Sequence, residues 1–143
     1  MLFRSLDEAG IADPYVIKGK LIDLFDPTLP VLSQKQVNPG QQAFLYNIEL
    51  AADPAKPQVL ASASRVYEEK VEKKTYSFVV KSPVNTTNVM RVLLPAEPEQ
   101  IMVIDGKGKQ LTDVKTSWDA PSKTSFLSFE NSPEGIKVKF KWR

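Results

Sequence analysis

Ile136-Lys137-Val138-Lys139-Phe140-Lys141-Trp142 alternates apolar and cationic side chains without a break. A β-strand turns successive side chains to opposite faces, so a period of two sends Ile136, Val138, Phe140 and Trp142 into a core and three lysines into water. The lysines read as a solvated outer face that also protects a sheet edge, because charged side chains discourage pairing with another sheet. Just before it, Thr124–Glu130 is also rich in strand-forming residues. The loop Asn131-Ser132-Pro133-Glu134-Gly135 between them places Pro and Gly for a turn, which predicts an antiparallel hairpin of the two strands.

The same texture extends back to Tyr15. Short runs of β-branched and aromatic residues are separated by Pro, Gly, Asn and Asp clusters about every 8–12 residues. They predict eight strands, Tyr15–Phe25, Gln42–Leu50, Val59–Glu68, Thr75–Lys81, Asn88–Leu94, Gln100–Ile104, Thr124–Glu130 and Ile136–Trp142, with a short Val31–Ser33 and, as the weakest pattern, Gln110–Lys115 beside them. Asp105-Gly106-Lys107-Gly108 and Asn38-Pro39-Gly40 mark further tight turns. Parallel pairing needs crossovers of a dozen or more residues, usually helical, and no long helical pattern separates these strands. The expectation is an all-β chain, an antiparallel immunoglobulin-like β-sandwich of about eight or nine strands over residues 15–143. A lead-in segment, residues 1–14, precedes it. Within the lead-in, Ser5-Leu6-Asp7-Glu8 fits a capping box, and Asp13-Pro14 would end the short N-terminal helical turn it starts.

Composition narrows the chemistry. The 143 residues contain no cysteine and no histidine, which removes disulfides, thiol nucleophiles, His-based triads and zinc sites with Cys or His ligands. A chain of this size buries roughly 68–70% of its unfolded surface, enough to build a core without metal or disulfide staples. No cofactor is expected. Net charge is +2 with signs mixed along most of the chain, so no phosphate-tracking field points to nucleic acid. No apolar run reaches the roughly 18–20 residues that would span a bilayer as a helix, so no membrane insertion is expected. Residues 1–71 hold seven basic and nine acidic groups and residues 72–143 hold twelve and eight, the last strand's lysines causing much of the difference.

Without His or Cys, acid–base chemistry would fall to paired carboxylates, the chemistry of glycoside hydrolysis. The acidic groups read instead as turn and solvent residues. Asp26-Pro27-Thr28 looks like an Asx turn, with Asp23 close by, and Glu68, Glu69 and Glu72 interleave with lysines where a hairpin should end. Asp105-Gly106-Lys107-Gly108-Lys109 lacks the spacing and the following helix of a phosphate loop, and Asn85-Thr86-Thr87 reads as a turn despite matching a glycosylation triplet. Arg65 and Arg91 interrupt apolar strands and face either solvent or a structural partner, with ligand contact as the alternative. Trp118 lies in the polar run Lys115–Lys123, which predicts a loop. There its indole would either stack on a sugar ring, with Asp119 accepting from the sugar hydroxyls, or fold back to plug one end of the sandwich. Tyr67, at the Glu-rich strand end, is the third candidate glycan contact. No catalytic or metal-binding residue is assigned.

Val59-Leu60-Ala61-Ser62-Ala63-Ser64-Arg65-Val66, Asn88-Val89-Met90-Arg91-Val92-Leu93-Leu94-Pro95, Trp118-Asp119, Phe129-Glu130-Asn131-Ser132-Pro133-Glu134-Gly135-Ile136 and Trp142 together carry a resemblance. The chain from about residue 58 to 143, with the strand around Lys20–Asp26, resembles the C-terminal β-sandwich domain of large secreted glycoside hydrolases, or hydrolase-like proteins, of polysaccharide-degrading bacteria. The resemblance rests on packing and turn motifs and transfers no catalytic residue. It implies a noncatalytic accessory domain that packs on or positions a preceding catalytic domain, in a protein located outside the cytoplasm. The chain's end one residue past its last strand then reads as a natural C-terminus. The alternatives are a carbohydrate-binding module that meets polysaccharide through an exposed aromatic and, third, a small carboxylate-based hydrolase.

Overall fold

In the computed structural model, which describes residues 2–4, 15–38, 42–48, 56–83 and 85–143, the last strand alternates as its sequence demands. Ile136, Val138 and Phe140 are buried while Lys137, Lys139 and Lys141 are exposed. The described residues form twelve strands, in chain order β1 (Leu2–Arg4), β2 (Tyr15–Asp23), β3 (Val31–Val37), β4 (Gln42–Asn47), β5 (Gln58–Ser62), β6 (Arg65–Glu72), β7 (Thr75–Lys81), β8 (Thr87–Leu93), β9 (Gln100–Ile104), β10 (Lys115–Asp119), β11 (Thr124–Glu130) and β12 (Ile136–Lys141). No α-helix occurs among the described residues. The helical turn expected from Ser5 to Asp13 lies outside them, as do Pro39 and Gly40 of the turn expected before β4.

The chain forms two compact units, Met1–Asp53 and Pro54–Arg143, where the sequence reading drew its boundary after residue 14. In the first unit four strands form one antiparallel sheet, β1-β4-β2-β3. Leu21 and Leu45 are buried in it, with Ile17 and Leu32 packed against them. β2 bulges between Lys18 and Leu21, where Gly19 takes a φ of +147° that other residues rarely adopt.

The second unit is a β-sandwich of two four-stranded antiparallel sheets, β10-β11-β8-β5 and β6-β7-β12-β9. Their facing sides share one core, to which β8 and β11 bring Met90, Val92, Leu127 and Phe129, and β7, β9 and β12 bring Tyr76, Phe78, Val80, Val103, Ile136, Val138 and Phe140. Each large apolar side chain buried this way contributes on the order of 1.5–3 kcal/mol. Tyr76, Phe78 and Phe140 form a tilted aromatic row, with centroids 5.3 and 6.2 Å apart.

Several local expectations need correction. β11 and β12 are not a hairpin: β11 pairs with β8 and β10, and β12 with β7 and β9, so Asn131–Gly135 carries the chain from one sheet to the other. Both strands have an apolar face that must meet the opposite sheet, and a five-residue link serves a crossover as well as a turn. The predicted strand Val59–Glu68 is divided at Ala63-Ser64 into β5 and β6, which lie in different sheets. Only β6–β7 and β10–β11 are consecutive strands paired in one sheet of this unit. The turn Asp105–Lys109 forms, but the predicted strand Gln110–Lys115 reduces to a single bridge between Ile104 and Gln110. Trp118 lies on strand β10 and not on a loop. Finally, β12 is an interior strand, so its lysines do not guard an edge.

The crossovers meet in a polar seam. The Ser64 amide donates to Asn88 Oδ1 (3.0 Å), and the Ser64 hydroxyl donates to Asn131 Oδ1 (2.9 Å). Asn131 in turn donates through Nδ2 to Thr86 Oγ1 (3.0 Å) and through its backbone amide to the Thr86 carbonyl (2.8 Å). Ser64, Thr86 and Asn131 thus tie the β5–β6, β7–β8 and β11–β12 links together. Backbone leaving a sheet loses its ladder partners, and these side chains replace them. At Gly135, which closes the third link with a φ of +97°, an added Cβ would lie 3.2 Å from Val79 Cγ1.

Candidate functional site

Trp118 and Asp119, neighbours on β10, point to opposite faces of their sheet. Trp118 is half-buried and packs against the sandwich core, the plugging orientation. Asp119 faces outward. Its carboxylate accepts from the Ser122 amide (3.1 Å) and the Ser122 hydroxyl, closing the turn that joins β10 to β11.

That hydroxyl belongs to a chain of buried polar groups. Met90 and Val92 point into the core, so Arg91 between them points outward, where it is only 6% exposed. Arg91 Nη1 donates to Thr124 Oγ1 (3.1 Å), and Thr124 Oγ1 lies 2.7 Å from Ser122 Oγ. Because the Ser122 proton goes to Asp119, Thr124 must donate to Ser122, and the bonds run in one sense from guanidinium to carboxylate. The guanidinium also lies over the Phe126 ring, 5.6 Å from its centroid. Burial lowers the Arg91 pKa and the Asp119 charge opposes the shift. Of the two readings of Arg91, structural pairing is the one observed. Among the described residues every buried side-chain N or O atom has a hydrogen-bond partner.

Tyr67 lies elsewhere. β6 carries it on an edge of the other sheet, beside the β5–β6 bend, whereas β10 is the edge strand next to the β9–β10 link. Its register partner Val79 and its neighbour Val66 place its ring on the outer face, 38% exposed, with Lys81 Nζ 5.7 Å from the ring centroid. The three candidate glycan contacts therefore do not converge. Of the three, Tyr67 is the exposed one.

The surroundings of Tyr67 form a face that sequence reasoning missed. Register across β6-β7-β12-β9 gives three outward rows: Tyr67, Val79, Lys137, Ile104; Lys70, Ser77, Lys139, Met102; and Glu72, Thr75, Lys141, Gln100. Arg65 and Lys81 pair directly beyond the first row. The lysine comb was the available signal; which strands would flank it was not. Glu72 is the one carboxylate in these rows. Its pKa is lowered, first by a hydrogen bond from Lys70, whose ammonium is 2.9 Å away, and also by the Lys139 charge.

Other acidic groups hold local structure. Asp26 Oδ1 accepts from the Thr28 amide (2.9 Å) and hydroxyl (2.7 Å), the expected Asx turn, which lowers its pKa. Asp105 Oδ1 accepts from the amides of Lys107 (2.9 Å) and Lys109 (3.0 Å) in the same way, so the glycine-rich turn is organised around its own carboxylate. Glu69 accepts from the Tyr76 hydroxyl (2.5 Å), and burial together with that contact pushes the phenol well above its ordinary range. Among the described residues no group of three or more acidic side chains is placed to hold a metal ion.

A groove of about 390 Å³ separates the β9 and β10 edges, floored by Ile101, Val103, Leu111 and Val114. Neither Trp118 nor Tyr67 lines it. No family model, curated protein or solved structure matches this chain.

Proposed function

We propose that this chain is a noncatalytic accessory unit of a larger glycan-degrading protein outside the cytoplasm, packing on or positioning its catalytic domain. The observation that carries the noncatalytic half is the use of its polar groups. The Arg91–Thr124–Ser122–Asp119 chain and the Ser64–Asn88–Asn131 seam engage one another, and Asp26, Asp105 and Glu69 each serve a turn or a core hydroxyl. Side chains committed to structure are poor acids, bases or nucleophiles, since each would have to abandon a bond that holds the fold. The glycan half is supported by the resemblance to sandwich domains of secreted glycoside hydrolases.

The second reading, a carbohydrate-binding module, is favoured by Tyr67, an exposed ring with a cation beside it, rather than by Trp118. The immunoglobulin-like arrangement belongs to the same proposal. The test compares the longer protein with and without these residues. Reduced thermal stability, or reduced activity on polymer with activity on a small soluble substrate retained, supports the accessory role. Equal stability and activity overturn it, and so does release of reducing ends from any polysaccharide by the isolated chain.

A further inference from the structure

We infer that the outer face of the β6-β7-β12-β9 sheet binds an acidic polysaccharide, its lysines meeting the polymer's carboxylates while Tyr67 offers a stacking plane for one sugar ring. The inference deepens the glycan reading and rests on it for the class of polymer.

The first argument is the sign of the charge. Arg65, Lys70, Lys81, Lys137, Lys139 and Lys141 are all exposed in the outward rows and the pair beyond them, where Glu72 is the one carboxylate; Glu68 and Glu69, also exposed on β6, lie at its bulge outside the paired rows, and Glu69 holds the Tyr76 hydroxyl. Lys70 is paired with Glu72, which leaves a row along β12 with no carboxylate directly opposite. On one side the register partners of Lys137, Lys139 and Lys141 are Val79, Ser77 and Thr75; on the other they are Ile104, Met102 and Gln100. Alternate residues of a strand lie about 6.8 Å apart, inside one Debye length at physiological salt, so the three ammoniums repel one another.

The second argument is position. Lysines on an edge strand have an ordinary explanation in preventing aggregation, but β12 is hydrogen-bonded on both sides and has no free edge to protect. Arg65 and Lys81 stand directly opposite each other, and like charges in that relation are destabilising. Solubility needs charge on a surface but not a single sign on one interior face. A polyanion laid along β12 would relieve both features.

Five of the six cations on this face are lysines, compact point charges without arginine's planar fork, so the face selects negative charge in general and the carboxylate comes from the glycan reading, with sulfated polymer, DNA and lipid as the competing anions. The face belongs to a four-stranded sheet, broader than the helix or two-stranded ribbon that a major groove admits, and Tyr67 is the one aromatic in its outward rows, where single-strand binders stack successive bases on several. Lys81 Nζ lies over the Tyr67 ring, so a cation and an aromatic plane meet at one place; a uronate that draws the ammonium to its carboxylate would take its position over the ring.

The experiment is affinity electrophoresis of the full chain through gels containing polygalacturonate, hyaluronate, heparin or neutral xyloglucan. Filter binding to duplex DNA and flotation with phosphatidylglycerol vesicles run beside it. Retardation on at least one uronate polymer is expected, lost on raising salt from about 50 to about 300 mM. Lys137→Gln/Lys139→Gln/Lys141→Gln should weaken it about tenfold or more, while Lys107→Gln/Lys109→Gln/Lys115→Gln, an equal charge change elsewhere, should leave it nearly unchanged. Lys81→Gln gives an independent single-site check on the same face, and matched thermal melts exclude unfolding as the cause. No retardation on either uronate polymer overturns the inference, as does equal loss in both triple variants or tighter binding to DNA, heparin or vesicles. Retardation on xyloglucan that survives the β12 triple change but is lost in Tyr67→Ala overturns this inference and keeps the glycan reading.

Discussion

On the outer face of the β10-β11-β8-β5 sheet a single arginine is buried and joined through two hydroxyls to a carboxylate, whereas the outward register rows of β6-β7-β12-β9, with the Arg65–Lys81 pair beyond them, expose six cations and one carboxylate. The contrast follows from solvent. A guanidinium withdrawn from water must be given hydrogen bonds and an opposite charge, or its burial costs several kcal/mol. An exposed ammonium keeps its hydration and is screened by salt, so the fold tolerates many of one sign and gains little from any of them. The first face spends its charges on stability and the second leaves them available.

The sharpest way to break this comparison is to remove one cation from each face. Arg91→Ala should cost about 2–4 kcal/mol, because it takes the donor from Thr124 Oγ1, the positive charge from the neighbourhood of Asp119 and the guanidinium from over Phe126. Lys139→Ala should stay within about 0.5 kcal/mol of the parent chain. Urea denaturation of both variants checks this, and equal costs would show that the two faces do not differ as described.

A second effect lies between the sheets. Asn131→Ala should cost about 1–3 kcal/mol, since the Ser64 hydroxyl loses its acceptor and the Thr86 hydroxyl a donor. Ser64→Ala should cost less. The double variant should cost less than the two losses added, because both remove the same Ser64–Asn131 bond. Strict additivity in chemical melts would mean the three crossovers are held separately.

These seam residues also mark the limit of what was legible. Alternation in Ile136–Trp142 and in Thr75–Lys81 fixed which side chains are buried, because a period of two leaves no other assignment on a strand with one wet face. The bend at Ala63-Ser64 was hidden inside a run that reads as one strand. Its signal is two serines near a change of sheet, whose acceptors Asn88 and Asn131 lie 24 and 67 residues away from Ser64. The hairpin expected between β11 and β12 failed for a related reason, as a turn signal says that the chain reverses but not which sheet it joins. The polar neighbours of Trp118 predict a loop, and the structure makes them a strand. Lys115, Thr116 and Ser117 are exposed on an edge strand, which needs no apolar outer face. Tyr67 was named from its position alone, and the cationic face around it became visible only through register.

Tyr76 gives a pH-dependent prediction. Burial and the Glu69 contact raise its phenol pKa in the folded state, so between the unfolded value near 10 and the folded one the native state holds a proton that the unfolded chain releases. The stability from this group is complete below about pH 10 and is lost as pH rises above it. Thermal melts from pH 8.5 to 11 should show a decline, and Tyr76→Phe should make that decline shallower while costing about 0.5–1.5 kcal/mol at neutral pH. An unchanged slope would mean that the hydroxyl is hydrated in the folded chain.

The smallest effect carries the opposite sign. On the lysine face, neutralising Lys81 with Lys81→Gln removes its repulsion with Arg65 directly opposite, which taken alone should stabilise the chain by a few tenths of a kcal/mol at low salt. Added salt should raise the melting temperature of the parent more than that of the variant, because screening relieves the same repulsion the substitution removes. The cation–π contact with Tyr67 opposes this gain by roughly 0.5 kcal/mol, so Tyr67→Leu/Lys81→Gln, compared with Tyr67→Leu, isolates the repulsive part. Destabilisation by Lys81→Gln in that second background, at low salt, would mean that the face is not frustrated, and the positional argument for a bound polyanion would lose its force.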